Sequence, residues 1–405
     1  MGFVQIRNQI DKMKIVITTH TYYPNKDGVQ AVNKYLAEGL VKRGHEVTLI
    51  TQSDNNFKSE EIINEVKIIR LPIYNIHTIY KGDKKSYQNM LVRMSENSNV
   101  IINVAAETPW TDWTFEILGE IKCIKVLYLH GMYDFSWHKE DFVSFSSIGH
   151  KIWNLLRWRF HYAAIGKYIK EYDVITQLHE DNDANIFYEK KYNVSGYVME
   201  NAADDNFFTP FDYHVKIDVP NNYFIFVGNY IERKNQEYVM RAFYQSNINK
   251  DIALIFIGSL KTSYYEKIVG LKKKYDAIFG ERDIRFLESI PREHISEYVK
   301  RADLYLMGSK WEAYPVAIVE SMAAGVPYIA TDVGCVKYLP GGVIIHSEYE
   351  MKRWIEIMVE NKNVSVSLGN AGKSYALTHL KVDACIDNFN NIICNKINEK
   401  KDSIK

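Results

Sequence analysis

Glu312 and Glu320 stand eight positions apart and bracket the uncharged run AYPVAIV. From Ala313 to Thr331 the only charged residue is Glu320. Pro315 suits the first turn of a helix, and Gly325 with Pro327 supplies a stop, so the pattern predicts about three helical turns over 315–324. That helix is apolar around its whole circumference and is expected to be buried. An acid in a helix's amino-terminal half ordinarily needs no more than the helix dipole to account for it. Here the apolar neighbours argue against a solvated face, and a buried carboxylate needs a partner. Its two acceptor oxygens match a vicinal diol, such as the 2′ and 3′ hydroxyls of a ribose. Glu312 falls in the loop before the helix. There the amides of Tyr314 and Val316 are free donors, Pro315 has none, and a helix amino terminus is a natural phosphate seat.

Three further stretches carry chemistry. Arg233 and Lys234 lie between a strand and a helix in FVGNYIERKNQEYVMRAF (226–243), and such a pair can stabilise a diphosphate leaving group. Alone, it would read as a solvated turn. Gly28 opens a helix after the first strand and lets backbone approach a ligand, but the spacing of a dinucleotide-binding loop is absent. His130 ends the run KVLYLHG, where a histidine is usually a structural hydrogen-bonder. Asp181 and Asp183 form an acidic pair that can hold a metal. Ahead of ANIFYEKKY they read better as a helix cap with acids in the first turn, so neither metal nor cofactor is expected.

These residues need a frame, and the chain supplies short apolar runs alternating with amphipathic stretches, the pattern of parallel βαβ architecture. Strands are expected at 14–20, 46–51, 66–71, 99–106, 125–131, 173–178 and 196–200, with a helix from Val29 to about Arg43 that Gly44 ends. A cleaner second series falls at 223–228, 252–258, 283–288, 303–308, 327–331 and 341–347. The aperiodic, proline-bearing segment 204–222 is expected as the linker. The fold class is therefore α/β, with two doubly wound Rossmann-like domains: 1–205, then 206–380, with a helix at 381–405 packing back toward the first domain and ending in a frayed tail. Ligands in such sheets bind outside the carboxyl ends of the strands, and the cleft the two domains face across is the first place expected for a site.

The 405 residues suffice for two cores. Lys+Arg and Asp+Glu both number 50, so no global field points to nucleic acid. The four cysteines lack metal or redox spacing, no segment is long and apolar enough to span a bilayer, and the amino-terminal run is too interrupted for a signal peptide. A cytoplasmic protein is the expectation. The stretch 151–170 is basic and Trp-rich. Its basic residues scatter around a helical wheel, which favours a covering helix over a membrane-surface helix, with peripheral contact to the inner face of a membrane kept as the alternative.

The string SKWEAYPVAIVESMAAGVPYIATDVGCVKYL resembles the donor-site motif of retaining GT-B glycosyltransferases of family 4, also called group 1. The resemblance is strong over 223–345 and looser over 14–52 and 125–131. It implies that Glu320 bonds the ribose of a nucleotide-sugar donor, that Glu312 faces the transferred sugar, and that the amides of Tyr314 and Val316 touch sugar hydroxyls and phosphates. Lys234 matches the family's phosphate-binding lysine. The arginine before it is replaced by Asn229, for which Arg233 is the candidate substitute. Gly28, in Asp27-Gly28 where the family has Gly-Gly, would let backbone meet donor phosphate or acceptor. His130 would contact the donor sugar, and backbone near Ile290 the base, although Glu288 replaces a usual glycine. Asn201 matches a structural asparagine.

The implied activity is metal-independent hexosyl transfer from a UDP-sugar, or a GDP-sugar, to a glycan, lipid-linked or protein hydroxyl, in bacterial surface polysaccharide or glycoconjugate synthesis. Glu312, Lys234 and His130 would be its catalytic residues. The alternatives are a non-catalytic GT-B partner subunit and a GT-B sugar-nucleotide epimerase. The sequence fixes no oligomeric state.

Overall fold

The computed structural model describes residues 12–23, 28–53, 57–76, 79–137, 139–259 and 261–402. The chain divides into two compact units, Met1–Met199 with Ile386–Lys405, and Glu200–Cys385. Residues 204–222, expected as the linker, belong to the second unit: Phe207 is fully buried there, and the Asp212 amide donates to Glu297 (2.8 Å).

Unit 1 begins with β1 (Lys14–Thr18), α1 (Gly28–Lys42) and β2 (Glu46–Gln52). β3 (Glu60–Ile63), β4 (Val66–Leu71) and the hairpin β5 (Tyr74–Ile76) and β6 (Ile79–Lys81) follow. Then come α2 (Lys84–Glu96), β7 (Val100–Val104), α3 (Pro109–Phe115), β8 (Ile124–Tyr128) and α4 (Phe145–Ile169). β9 (Val174–Gln177), α5 (Asp183–Tyr192) and β10 (Tyr197–Val198) complete the series. The main sheet has the order β10-β9-β8-β7-β1-β2-β4-β3, parallel throughout except for β3 against β4. β7 (VIINV) is buried at every position, as a strand covered on both faces must be.

Unit 2 contains β11 (Tyr223–Val227), α6 (Gln236–Gln245), β12 (Ala253–Gly258), α7 (Ser263–Phe279), β13 (Ile284–Glu288) and α8 (Arg292–Lys300). β14 (Leu304–Met307), α9 (Val316–Ala324), β15 (Tyr328–Thr331), β16 (Gly342–Ile345), α10 (Glu348–Glu360) and α11 (Lys362–His379) follow. Its sheet is parallel, in the order β13-β12-β11-β14-β15-β16. That is the 3-2-1-4-5-6 order of a doubly wound sheet, whose direction of winding reverses between β11 and β14. The last helix, α12 (Val382–Asp402), runs from unit 2 into unit 1, where Asp387 pairs with Arg43 (2.7 Å) and Asn390 meets the buried His45 (2.9 Å). Helix continues through much of the tail expected to fray.

At the reversal, the fully buried Tyr305 of β14 places its hydroxyl against β11. It donates to the Val227 carbonyl (3.0 Å) and accepts from the Val227 amide (3.1 Å). This one hydroxyl satisfies both backbone groups of the residue where β11 ends. Tyr305→Phe should leave both unpaired, at a cost of about 1–3 kcal/mol. A loss of that size in unfolding free energy, measured by urea titration, is the expected outcome; an unchanged midpoint would contradict it.

Candidate active site

The loops after β11 and β14 are the two that flank the reversal of unit 2, and they are sewn together. Asn235, held at φ 53°, donates its side-chain amide to the Gly308 carbonyl (3.1 Å), and the Lys310 amide donates to the Arg233 carbonyl (2.8 Å). Gln236, at the start of α6, closes the first loop by donating to the carbonyls of Gly228 (3.3 Å) and Asn229 (3.0 Å). On this frame Lys234 Nζ donates to Glu312 Oε1 (2.6 Å), while Arg233 Nη1 lies 3.8 Å from Glu312 Oε2. Each oxygen of the nearly buried Glu312 thus faces one cation. Arg233 also lies over the Trp311 ring (5.3 Å to the centroid) and donates to its carbonyl (3.4 Å).

Glu312 is held from behind by Gly334, at φ +54°. A Cβ there would fall 2.3 Å from the carbonyl oxygens of both Glu312 and Ala313, so only glycine fits. The Cys335 amide donates to the Ala313 carbonyl (3.2 Å). Tyr314 points its hydroxyl away from the loop to Glu200 (2.8 Å), and its carbonyl accepts from Asn201 (2.9 Å). Asn201 is therefore structural, as the sequence suggests.

α9 opens at Val316 with Pro315 as its cap and ends at Gly325 in the left-handed region. It is shorter than the expected 315–324 by one residue. Tyr314 and Val316 stand at its amino end, where the helix offers their amides no acceptor. Glu320 is 2 % exposed, and its partner is Arg292, the first residue of α8, whose guanidinium also lies 3.6 Å from Asp204. Burial raises the pKa of Glu320, and the Arg292 charge partly offsets this. Burial acts to lower the pKa of Arg292, but the facing Glu320 carboxylate outweighs it, so the guanidinium is held charged. Ile290, in the segment between β13 and α8, sits two residues before Arg292 and follows Ser289, at φ 55°. Sequence reasoning missed Arg292 and Gly334, because nothing in linear spacing places either against a glutamate twenty or more residues away. Asn229, where the resemblance implies an arginine, accepts from the Ser259 hydroxyl (2.7 Å).

The remaining expected residues are in unit 1. β8 ends at Tyr128, so His130 lies in the loop beyond it, with Gly131 at φ 117°. Burial, with a smaller push from His20, drives the His130 pKa down to about 4, and its Nε2 has no hydrogen-bond partner among the described residues. Gly28 begins α1 and is exposed, and a Cβ there would touch none of the described residues. Asp27 falls outside the described residues. At unit 1's own reversal, beyond β7, Ala105 and Glu107 both have positive φ, and Glu107 accepts from the Tyr162 hydroxyl and the Tyr133 amide. Asn182, and neither aspartate, caps α5 by accepting from the Asn185 amide (2.6 Å), with Asp183 in the first turn. Among the described residues, no three His, Cys, Asp or Glu side chains converge as a metal site.

A site of this kind, with cations and a helix amino terminus at the carboxyl edge of a doubly wound sheet, is suited to a phosphorylated ligand. Family comparison agrees. The model of the Glycosyl transferases group 1 family matches residues 212–373, and that of Glycosyltransferase Family 4 matches residues 26–175, one in each unit. The chain belongs to the GT-B glycosyltransferases of family 4. This glycosyltransferase is 23 % identical over 337 residues to the N-acetyl-alpha-D-glucosaminyl L-malate synthase of Bacillus anthracis, covering 80 % of each chain. Its fold superposes on the sucrose-phosphate synthase of Thermosynechococcus elongatus with a TM-score of 0.71 at 15 % identity, covering 97 % of this chain and 100 % of that one. It also superposes on Anabaena HepE, solved in complex with UDP-glucose, with a TM-score of 0.66 at 15 % identity, covering 96 % and 100 %. Among the described residues, no helix of the glycosyltransferase is long and apolar enough to cross a membrane.

Two expectations follow from this geometry. Gly334→Ala should lower stability by about 1–3 kcal/mol through backbone strain and displacement of Glu312. Gly270→Ala, inside α7 with open space around it, should instead raise stability by about 0.5–1 kcal/mol. Thermal melts of the two variants check the contrast. His130, whose pKa is lower folded than unfolded, contributes stability that is complete above about pH 6.5 and is lost as pH falls toward 4. The stability difference between wild type and His130→Asn should therefore shrink between those pH values; a pH-independent difference would contradict the lowered pKa of the ring.

Proposed function

We propose that this glycosyltransferase moves a hexose from a UDP-sugar to a hydroxyl acceptor with retention of anomeric configuration, and that unit 2 holds the donor. The observation that carries the reading is the pair of cations, Lys234 and Arg233, set on the two oxygens of Glu312 at the reversal of the sheet. In this reading Lys234 and Arg233 hold the diphosphate, and the amides of Tyr314 and Val316 add donors to it and to the sugar. Glu320 takes the ribose hydroxyls, with Ile290 beside the base. Glu312 and His130 face the sugar, and Gly28 lies at the donor phosphate or acceptor.

The acceptor oxygen bonds to the anomeric carbon as that carbon's bond to the diphosphate oxygen breaks. The bonding pair leaves with the diphosphate, which takes the acceptor's proton on the same face of the sugar. Catalysis then rests on positioning and on offsetting the leaving group's charge, which two side-chain cations do without a metal ion. The uridine follows the HepE complex, with guanosine as the other candidate. The acceptor is a glycan, lipid-linked or protein hydroxyl, and by family association the setting is cytoplasmic synthesis of bacterial surface polysaccharide or glycoconjugate.

One observation favours a second reading, a non-catalytic partner subunit. The position of the family's arginine is Asn229, already engaged by Ser259. Thermal shifts with UDP, GDP, ADP and CMP separate the two. A nucleotide at a hundred times its dissociation constant adds about 2.7 kcal/mol of stability. UDP should stabilise wild type and leave Glu320→Ala unmoved. Lys234→Ala should lower release of UDP from the donor by several tens-fold or more, since losing one charge-stabilising group costs on the order of 10²–10³. Absence of any nucleotide shift, or of turnover in wild type, would favour the second reading; near-normal turnover in Lys234→Ala would instead take Lys234 out of the catalytic role.

A further inference from the structure

α4 has two apolar faces. Lys151, Trp158, Tyr162, Ile165 and Ile169 are buried on one, which packs on unit 1, where Trp158 stacks on Tyr133 (5.7 Å). The opposite side carries Phe145, Ile152, Trp153, Leu156 and Phe160, and none of these is covered: Phe145 is 95 % exposed, Trp153 66 % and Phe160 72 %. Their spacing returns to the same side at about 100° per residue. The chain entering the helix extends the surface, with Phe142 stacked on Trp137 (5.2 Å) and Val143 exposed beside them. A soluble chain scatters exposed apolar residues singly; a run of this kind, concentrated on one helix, marks a contact surface.

The charges on this helix identify what it contacts. From Phe145 to Ile169 there is no aspartate or glutamate, while Arg159, Lys167 and the capping Lys170 are exposed on the same side as the aromatic run. The nearest acids along the chain are Asp141 and Glu171, one beyond each end, and Asp141 lies 3.7 Å from Lys151 on the buried side. Taken all together, the basic residues of the helix are scattered. The exposed ones are not, because Lys151 turns inward and Arg157 folds over the Trp158 ring (4.7 Å). A second copy meeting this helix across a two-fold axis would set Arg159 and Lys167 against their own kind, with no acid on the helix to neutralise them. An anionic lipid surface meets both features, taking the Trp and Phe side chains at its headgroup level and the cations against its charge.

We propose that this face of α4 seats the protein on an anionic membrane surface. The inference goes beyond the donor reading and does not rest on it, since vesicle binding needs neither nucleotide nor turnover. The test is co-sedimentation of the full chain with vesicles of phosphatidylcholine alone and of phosphatidylcholine with one-third phosphatidylglycerol. Wild type should bind the anionic vesicles at least about tenfold more tightly, and added salt should weaken the binding. Trp153→Ser with Phe160→Ser should abolish it. Arg159→Gln with Lys167→Gln, which leaves the apolar run intact, should weaken it by about fivefold per residue. Melting temperature confirms that each variant is folded. Equal binding to both vesicle types, or wild-type affinity in the folded serine variant, would overturn the proposal. So would a dimer in solution that the serine variant dissolves while wild type ignores vesicles, which would make the face an interface between copies.

Discussion

Two like charges on adjacent residues repel, and a loop that presents Lys234 and Arg233 in one direction needs an anion to hold them there. Glu312 is that anion, with one oxygen toward each cation at 2.6 and 3.8 Å. Because Glu312 is nearly buried, the attraction is less screened than on an open surface, and its position is correspondingly constrained. Much of the local structure serves that constraint. Gly334 permits the Glu312–Ala313 peptide to lie where it does, Asn235 and Lys310 tie the two loops together, and Tyr305 fixes the end of the strand from which the first loop departs. Three groups with a net charge of about +1 remain, an arrangement ready for a more negative partner.

The second glutamate solves a different problem with the same chemistry. Glu320 lies on a helix with no other charge, where an ionised carboxylate is costly unless paired, and Arg292 from the neighbouring helix supplies the pair. That contact partly offsets the burial that raises the Glu320 pKa. Under the proposed function the two pairs divide the donor between them, diphosphate at one and ribose at the other, and α9 sets their separation.

Much of this was legible in the sequence, for identifiable reasons. Strands covered on both faces, such as VIINV and ALIFIG, announce themselves as unbroken apolar runs, and the E-seven-E string carries its buried helix and its glycine stop on its face. Elements without a buried face were not legible: β3 alternates exposed and half-exposed residues, and the β5–β6 hairpin has three residues to a strand. Nor were partners brought together only by the fold. Arg292 reads as one more base at a helix start until the sheet order sets α8 beside α9. α4 shows the same limit from the other side. Its basic residues look scattered until burial removes those that turn inward and leaves a single cationic, aromatic face.

If the Glu312 cation pair and Glu320 form one nucleotide-sugar site, a crystal structure of the protein with UDP should show both against the ligand. The diphosphate is expected within hydrogen-bond distance of Lys234 and Arg233 at the amino end of α9, with both ribose hydroxyls on Glu320. UDP bound elsewhere, or the Lys234–Glu312 and Arg292–Glu320 pairs untouched in a crystal that holds the nucleotide, would contradict it.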